Sequence, residues 1–106
     1  MKVVPREILV CQDDEGREPF RDWLDCLDTT TEAIVLSRID RVEEGNLGDF
    51  KSLGEGISEL RIDFGPGYRV YFGQIGNEVH LIRGGSKSNQ QRDIEAAKKF
   101  WRAHAQ

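Results

Sequence analysis

Three cations in the second half of the chain are spaced so that a small β-scaffold would bring them together. Arg61 and Arg69 lie in two short alternating segments joined by Gly65-Pro66-Gly67. Lys87 follows a pair of glycines and comes directly before a predicted helix. Guanidinium and ammonium groups bind phosphate oxygens and stabilise the charge that develops on them during a reaction. The pattern therefore predicts a surface that handles a phosphate backbone.

The charge of the whole chain limits how that surface would work. The 106 residues suit one domain spanning residues 1–106, with a formal net charge of −4. Residues 1–55 carry 7 Lys/Arg and 14 Asp/Glu, whereas residues 56–106 carry 8 and 5. An acidic total argues against tight, unaided binding of RNA or DNA. The uneven distribution still permits a local basic face.

Cysteine and histidine usage predicts neither a disulfide framework nor a metal site. Cys11 and Cys26 are too few for a disulfide scaffold, and their spacing matches no metal motif. His80 and His104 are expected to be an ordinary strand residue and a residue of the C-terminal tail. No cofactor is predicted. The chain lacks an apolar leader and any run approaching the roughly 18 apolar residues of a membrane span, so a cytoplasmic location without a membrane partner is expected.

Two hydrophobic periodicities predict the elements that position the cations. The predicted order is β-α-α-β-β-β-α, an α+β fold in which helices pack on the apolar face of an antiparallel sheet. The first strand is predicted at Val3–Val10, and residues 46–56 are predicted to form a mobile, glycine-rich loop. Gly76-Asn77 is a two-residue hairpin signal between the last two strands.

Helix ends are predicted from capping residues. Pro19 suits the first position of the first helix, and Gly45 the stop of the second. Capping boxes are expected at Thr29 with Glu32 and at Ser88 with Gln91. The predicted apolar positions of the three helices are Phe20, Trp23, Leu24 and Leu27; Val35, Leu36, Ile39 and Val42; and Ile94, Ala97, Phe100 and Trp101.

Strand register predicts which residues share the cationic face. If Gly65–Gly67 forms a three-residue loop, Asp63 pairs with Arg69 and Arg61 pairs with Tyr71, all on the face away from the helices.

Pairing across Gly76-Asn77 then places Phe72 beside Leu81 and Arg69 beside Gly84. Gly84 and Gly85 are expected to leave room for a ligand backbone. The same register places Arg83 nearer the core face, as a weaker site candidate.

These segments resemble a known family. The E-L-R strand, the run G-x-G-Y-R-V-Y-F and the junction G-G-x-K-S-x-Q-x-x-D-I resemble the RelE/ParE superfamily of toxins, above all its HigB-like, phage-associated branch of addiction-module killer proteins. The resemblance implies a curved antiparallel sheet and a partner antitoxin of the helix-turn-helix type. RelE-like members cleave mRNA on the ribosome, whereas ParE-like members inhibit DNA gyrase without a nuclease site.

The resemblance also implies roles for individual residues. Arg69 matches the strand arginine that contacts the scissile phosphate, Lys87 matches a basic junction residue, and Arg61 is a third cation. Asp93 is a candidate base, although an Asp in the first turn of a helix is more simply explained by the helix dipole. Tyr71 is a candidate for stacking on a base, against ordinary sheet packing. The Tyr or His that RelE-like nucleases often carry near the final helix is replaced here by Gln90, Gln91, Arg92 and Asp93.

The sequence thus favours the toxin of a type II toxin–antitoxin system, a ribosome-dependent endoribonuclease acting on mRNA. Two alternatives remain open at this stage. One is a ParE-like gyrase inhibitor without nuclease activity, and the other is a weakened toxin that serves mainly antitoxin binding and operon regulation.

Overall fold

The computed structural model describes residues 4–104, which form one five-stranded sheet and three α-helices. The elements are β1 (Glu7–Val10), α1 (Pro19–Asp25), α2 (Thr29–Glu43), β2 (Phe50–Gly54), β3 (Ile57–Ile62), β4 (Tyr68–Ile75), β5 (Glu78–Ser86) and α3 (Gln90–His104). A single 3₁₀ turn, Lys87–Asn89, connects β5 to α3. The α+β class is confirmed. None of the helices in this range is long and apolar enough to cross a membrane.

The sheet differs from the predicted one in two respects. Its strand order is β1-β5-β4-β3-β2, and β1 pairs with β5 in parallel, so the sheet is mixed rather than wholly antiparallel. The segment predicted as a mobile loop contains β2, which pairs antiparallel with β3. Four of the five β2 residues are exposed, so the strand lacks the apolar alternation that would have revealed it. The predicted strand start at Val3 lies outside the described residues.

Helices cover both faces of the sheet, which corrects the predicted one-sided packing. On one face α1 and α2 pack against Leu60, Val70 and Phe72. On the other face Ala97 and Trp101 of α3 pack in a second apolar cluster (with Cys11, Ile57, Tyr71 and Ile82). Successive strand residues point to opposite faces, and β3–β5 carry apolar residues on both, so each face needs a cover.

The predicted helix ends are partly confirmed. Pro19 occupies the start of α1, and the Gly45 N–H donates to the Val42 carbonyl, with Gly45 at φ 103° just past the end of α2. The cap of α2 is not Thr29: the Asp28 carboxylate accepts a hydrogen bond of 2.7 Å from the Thr31 N–H.

The predicted capping box of Ser88 and Gln91 is wrong as well. Ser88 lies in the 3₁₀ turn Lys87–Asn89, and α3 begins only at Gln90. In α2 the predicted apolar position Leu36 is 42% exposed, whereas Val35, Ile39 and Val42 are buried.

The β3–β4 register is shifted by two residues from the predicted one. Arg61 lies directly opposite Arg69, and Ile62 opposite Tyr68, so the connection spans residues 63–67. Two turn hydrogen bonds organise this connection, from the Phe64 N–H to the Ile62 carbonyl and from the Gly67 N–H to the Phe64 carbonyl. A shift of two preserves the face of every strand residue. The predicted pair of Asp63 with Arg69 is not formed.

A β-bulge changes the β4–β5 register on one side only. Phe72 lies opposite Leu81 as predicted, but Tyr71 lies opposite Arg83, so Ile82 is an extra residue on β5. Beyond the bulge every β5 side chain changes face relative to an unbroken ladder. Arg83 therefore lies on the face that carries Tyr71, and its predicted place on the core face is wrong.

Candidate functional site

Three of the four predicted catalytic residues line one groove. Arg61, Arg69 and Lys87 border a space of ≈ 370 Å³, together with Asp49, Ile62, Asp63 and the turn Gly65–Gly67. We call this space the cationic groove. It lies where the β3–β4 connection and the end of β5 approach each other.

The β3–β4 turn positions Lys87 beside Arg69. The Lys87 N–H donates to the Gly67 carbonyl at 2.9 Å, which ties the start of the 3₁₀ turn to the loop. Gly67 has a φ of +87°, and a Cβ there would lie 3.5 Å from the Lys87 Cβ and 3.9 Å from Arg69 Nη1. A glycine is thus favoured by its backbone conformation, and its missing side chain leaves the two cations accessible from the loop side.

A buried carboxylate holds Arg61 in place. Glu59 is fully buried, and its Oε1 accepts from Arg61 Nε at 3.2 Å and from Arg61 Nη2 at 3.1 Å. The Gln90 amide donates to both oxygens of the same carboxylate, at 3.0 and 2.9 Å. The Arg61 side chain remains 35% exposed toward the groove. Glu59 therefore neutralises part of the Arg61 charge while orienting its guanidinium.

Arg69 has no such neutralisation. It is only 9% exposed, and its Nη1 donates to the Tyr68 carbonyl at 3.0 Å. Among residues 4–104 no carboxylate oxygen lies within 4.0 Å of its guanidinium, and its buried Nε has no hydrogen-bond partner. A desolvated guanidinium facing a second arginine is an arrangement that an anion in the groove would stabilise.

Asp93 does not belong to the cationic groove. It is 2% exposed in the first turn of α3, and its Oδ1 lies 3.1 Å from Arg83 Nη2. It lines a separate cleft of ≈ 320 Å³ with Arg83, Asn89 and Arg92, beside the end of β5. The ion pair with Arg83 and the position in the first turn of α3 indicate that Asp93 stabilises the helix start. They do not favour a base that acts together with Arg69.

Gly84 and Gly85 line the same cleft as Asp93 and not the cationic groove, and side chains pack closely against both glycines. A Cβ on Gly84 would come within 2.1 Å of the Trp23 ring, and one on Gly85 within 2.1 Å of Asp93 Oδ2. The glycines therefore allow α1 and α3 to approach β5, and their assignment to substrate binding stays a prediction that would concern this second cleft.

Tyr71 is likewise unavailable for stacking on a base, because α3 buries it completely. Its hydroxyl is buried without a hydrogen-bond partner among the described residues. Burial raises the pKa of Tyr71 far above its usual value of 10.0, and the carboxylates of Glu59 and Asp93 raise it further. Tyr71 is thus a neutral phenol beneath the site.

Two further arginines extend the positive surface and were missed from sequence. Arg38 and Arg41 of α2 line a larger groove of ≈ 560 Å³ that shares Asp49, Ile62, Asp63 and Arg61 with the cationic groove. Arg38 donates to the carbonyls of Leu47 and Asp49, and burial, with Arg41 nearby, lowers its pKa. The sequence could have indicated that Arg38 and Arg41 act together, because residues at i and i+3 of a helix share one face.

Comparison with known proteins gives two matches. Residues 22–102 match the model of a family described as phage-derived, Gp49-like proteins (DUF891), which is a family of RelE-like toxins. A protein of Haemophilus influenzae, described as uncharacterized, is 49% identical over 81 residues, which cover 74% of this chain and 82% of that protein. The span matched to the family contains every residue of the cationic groove.

Proposed function

The chain belongs to the phage-derived, Gp49-like family, and on that premise we propose that it is the toxin of a type II toxin–antitoxin system that cleaves mRNA on the ribosome. The observation that carries the proposal is the juxtaposition of Arg69 and Arg61 in a groove completed by Lys87. Its partners would be a helix-turn-helix antitoxin and the ribosome with its mRNA. A HigB-like assignment within the superfamily belongs to the same proposal.

The arrangement suits a phosphodiester better than an isolated small anion. Arg69 is placed by strand pairing and by its bond to the Tyr68 carbonyl, and both Arg69 Nη1 and the Lys87 side chain lie within 4 Å of the position that a Cβ on Gly67 would take. Arg69 and Arg61, each held by hydrogen bonds, and the exposed Lys87 would contact different oxygens of one phosphate or of adjacent phosphates. Preorganised charge of this kind stabilises a transition state because it needs no rearrangement during the reaction.

In the proposed reaction the 2′-oxygen attacks the adjacent phosphorus and the bond to the 5′-oxygen breaks. The products are a 2′,3′-cyclic phosphate and a 5′-hydroxyl. Arg69 and Arg61 stabilise the added negative charge on the phosphoryl oxygens, and Lys87 donates a proton to the departing 5′-oxygen. Arginine keeps its own proton, so it acts only through its charge and its hydrogen bonds.

A carboxylate of the groove is the group that accepts the proton of the 2′-hydroxyl in this proposal. Asp49 and Asp63 both line the groove, whereas Asp93 is paired with Arg83 in the other cleft. The acidic surface of the N-terminal half disfavours free RNA, which agrees with a substrate presented by the ribosome.

Primer extension on cellular mRNA after induction of the chain tests the proposal. Codon-spaced cuts are expected for the wild type and for Lys99→Ala, in which an exposed lysine of α3 outside the groove is removed. The cuts should disappear in Arg69→Ala and Lys87→Ala. Circular dichroism of each purified variant establishes that the fold is retained.

Two results would contradict this function and identify the alternatives. Intact mRNA together with gyrase-linked DNA breaks would indicate a ParE-like inhibitor. Intact mRNA without DNA damage, combined with antitoxin binding and operator repression, would indicate a weakened toxin with a regulatory role.

A further inference from the structure

Both histidines of the chain and one of its two cysteines converge on a single point. Cys11 follows β1, His80 lies on β5 and His104 ends α3. One ligand atom from each residue lies within 4.8 Å of the other two. This cluster lies on the α3 side of the sheet, and none of its members lines the cationic groove. The sequence predicted no metal site because the three residues are far apart along the chain.

The distances suit a first-row transition metal. Cys11 Sγ lies 3.9 Å from His104 Nε2. With bonds of about 2.3 Å to sulfur and 2.0–2.1 Å to nitrogen, a tetrahedral zinc ion separates such ligand atoms by roughly 3.5 Å. The Cys11–His104 separation exceeds that value by a few tenths of an ångström, and the other pairs, all within 4.8 Å, exceed it by at most about 1.3 Å, so small side-chain movements would close the site.

The surroundings hold the two imidazoles in place. The His104 ring stacks on Phe100 and Trp101, with centroids 5.2 and 5.6 Å away, and the His80 ring packs edge-on against Trp101 at 5.4 Å. His80 Nε2 also lies 3.1 Å from Glu78 Oε1. A carboxylate that accepts the proton of one ring nitrogen leaves the other nitrogen free to coordinate, which is the usual outer-shell arrangement of metal-binding histidine.

A path for a cation leads to the cluster. His104 is exposed and borders a small groove of ≈ 130 Å³ lined by Gln12, Asp13, Asp14, Phe100 and Ala103. The two aspartates favour the approach of a cation, and solvent or a carboxylate can occupy a fourth coordination position from this side.

We propose that Cys11, His80 and His104 form a binding site for a thiophilic transition-metal ion such as Zn²⁺. The thiol of Cys11 releases its proton to solvent as the sulfur–metal bond forms, and the imidazoles coordinate in their neutral form. A bound ion joins the end of α3 to β1 and β5, elements that are remote in sequence. The site stands apart from RNA cleavage, and Cys11 and His104 lie outside the span matched to the family.

Titration of the purified, reduced chain with Co²⁺ tests the site directly. Binding of one ion is expected, with the visible bands of tetrahedral cobalt and a near-ultraviolet thiolate-to-cobalt charge-transfer band, both of which Zn²⁺ should abolish. Cys26→Ser is the matched control, because Cys26 is exposed and lies elsewhere. It should bind Co²⁺ like the wild type.

The ligand variants give the decisive comparison. Cys11→Ser should lose the charge-transfer band, and His104→Ala should bind Zn²⁺ at least about 100-fold more weakly, while Glu78→Gln should weaken binding by about 10–100-fold. His104 is exposed, so its variant should keep the fold even if Cys11→Ser does not. Absence of the charge-transfer band in the wild type, or wild-type Zn²⁺ affinity in His104→Ala, would overturn the proposal.

Discussion

Arg61 and Arg69 lie directly opposite each other on β3 and β4, and of these two arginines only Arg61 has a carboxylate partner among residues 4–104. Like charges in direct cross-strand pairs are destabilising by roughly 0.2–1 kcal/mol. Glu59 offsets this repulsion from beneath Arg61 but leaves Arg69 uncompensated. This pair lowers the stability of the sheet but favours binding of an anion. Such a local loss of stability is expected at a functional site.

Replacement of Arg69 should separate stability from activity. Arg69→Met removes a nearly buried charge opposite Arg61 and keeps an unbranched side chain, so the free energy of unfolding should stay constant or rise by up to about 1 kcal/mol. RNA cleavage should fall by roughly 10²–10³-fold, the usual effect of losing one preorganised charge-stabilising donor. Urea unfolding and primer extension measure the two effects. Arg92→Met, an exposed arginine outside the groove, serves as the control, and a marked loss of stability in Arg69→Met would make Arg69 structural.

Glu59 should be a strong stability determinant. Glu59→Ala leaves the Arg61 guanidinium and the Gln90 amide without their common acceptor, so the free energy of unfolding should fall by about 1–3 kcal/mol. Urea denaturation gives the value. Glu55→Ala is the matched comparison, because Glu55 also accepts from an arginine, Arg102, but at an exposed site. Equal stability of the two variants would show that Glu59 has no special role beneath the groove.

Gly84 and Gly85 should be intolerant of alanine for packing reasons. Gly84→Ala forces a methyl group against the rigid Trp23 ring and should destabilise by about 1–3 kcal/mol, as overpacking usually does. In Gly85→Ala the obstacle is the Asp93 carboxylate.

A double-mutant cycle with Asp93→Ala should therefore recover part of the loss at Gly85, whereas Ser86→Ala, on the neighbouring residue, should have little effect. Thermal unfolding of the variants measures the coupling, and strict additivity would contradict the proposed clash.

Tyr71 should make the protein less stable at alkaline pH. Its pKa is raised in the folded state, so above its usual value of 10.0 the unfolded chain loses the proton while the folded chain keeps it. The unfolded state then binds fewer protons, and the free energy of unfolding falls with pH by up to about 1.4 kcal/mol per unit. Below that pH the contribution is constant.

Tyr71→Phe should abolish the part of the fall in unfolding free energy with pH that is due to Tyr71. Burial also raises the pKa of the Cys11 thiol, to about 11, so the comparison with wild type is needed to isolate Tyr71. Removal of a buried hydroxyl without a partner should leave stability at neutral pH unchanged or higher. Urea unfolding at several pH values between neutrality and the alkaline range measures both effects. If the unfolding free energies of the wild type and Tyr71→Phe fell equally with pH, Tyr71 would not cause the loss of stability at alkaline pH.

The predictions that succeeded depended on periodicity over several residues. Alternation correctly placed Arg61 and Arg69 on one face of the sheet. The predicted β3–β4 register was wrong by two residues, and a shift of two leaves every side chain on its predicted face. Arg83 was misplaced because one extra residue at Ile82 reverses the alternation beyond it. A β-bulge depends on pairing with another strand, and nothing in the local pattern reveals it.

The amino-acid pattern was sufficient for the α+β class, the Gly76-Asn77 hairpin and the grouping of three cations, because each depends on neighbours in the chain. Long-range packing determined the rest. The position of α3 buried Tyr71 and turned Asp93 toward Arg83, and the parallel pairing of β1 with β5 brought Cys11 to His80 and His104. Such contacts join residues that are tens of positions apart, and their geometry exists only when the sheet and its covering helices are assembled.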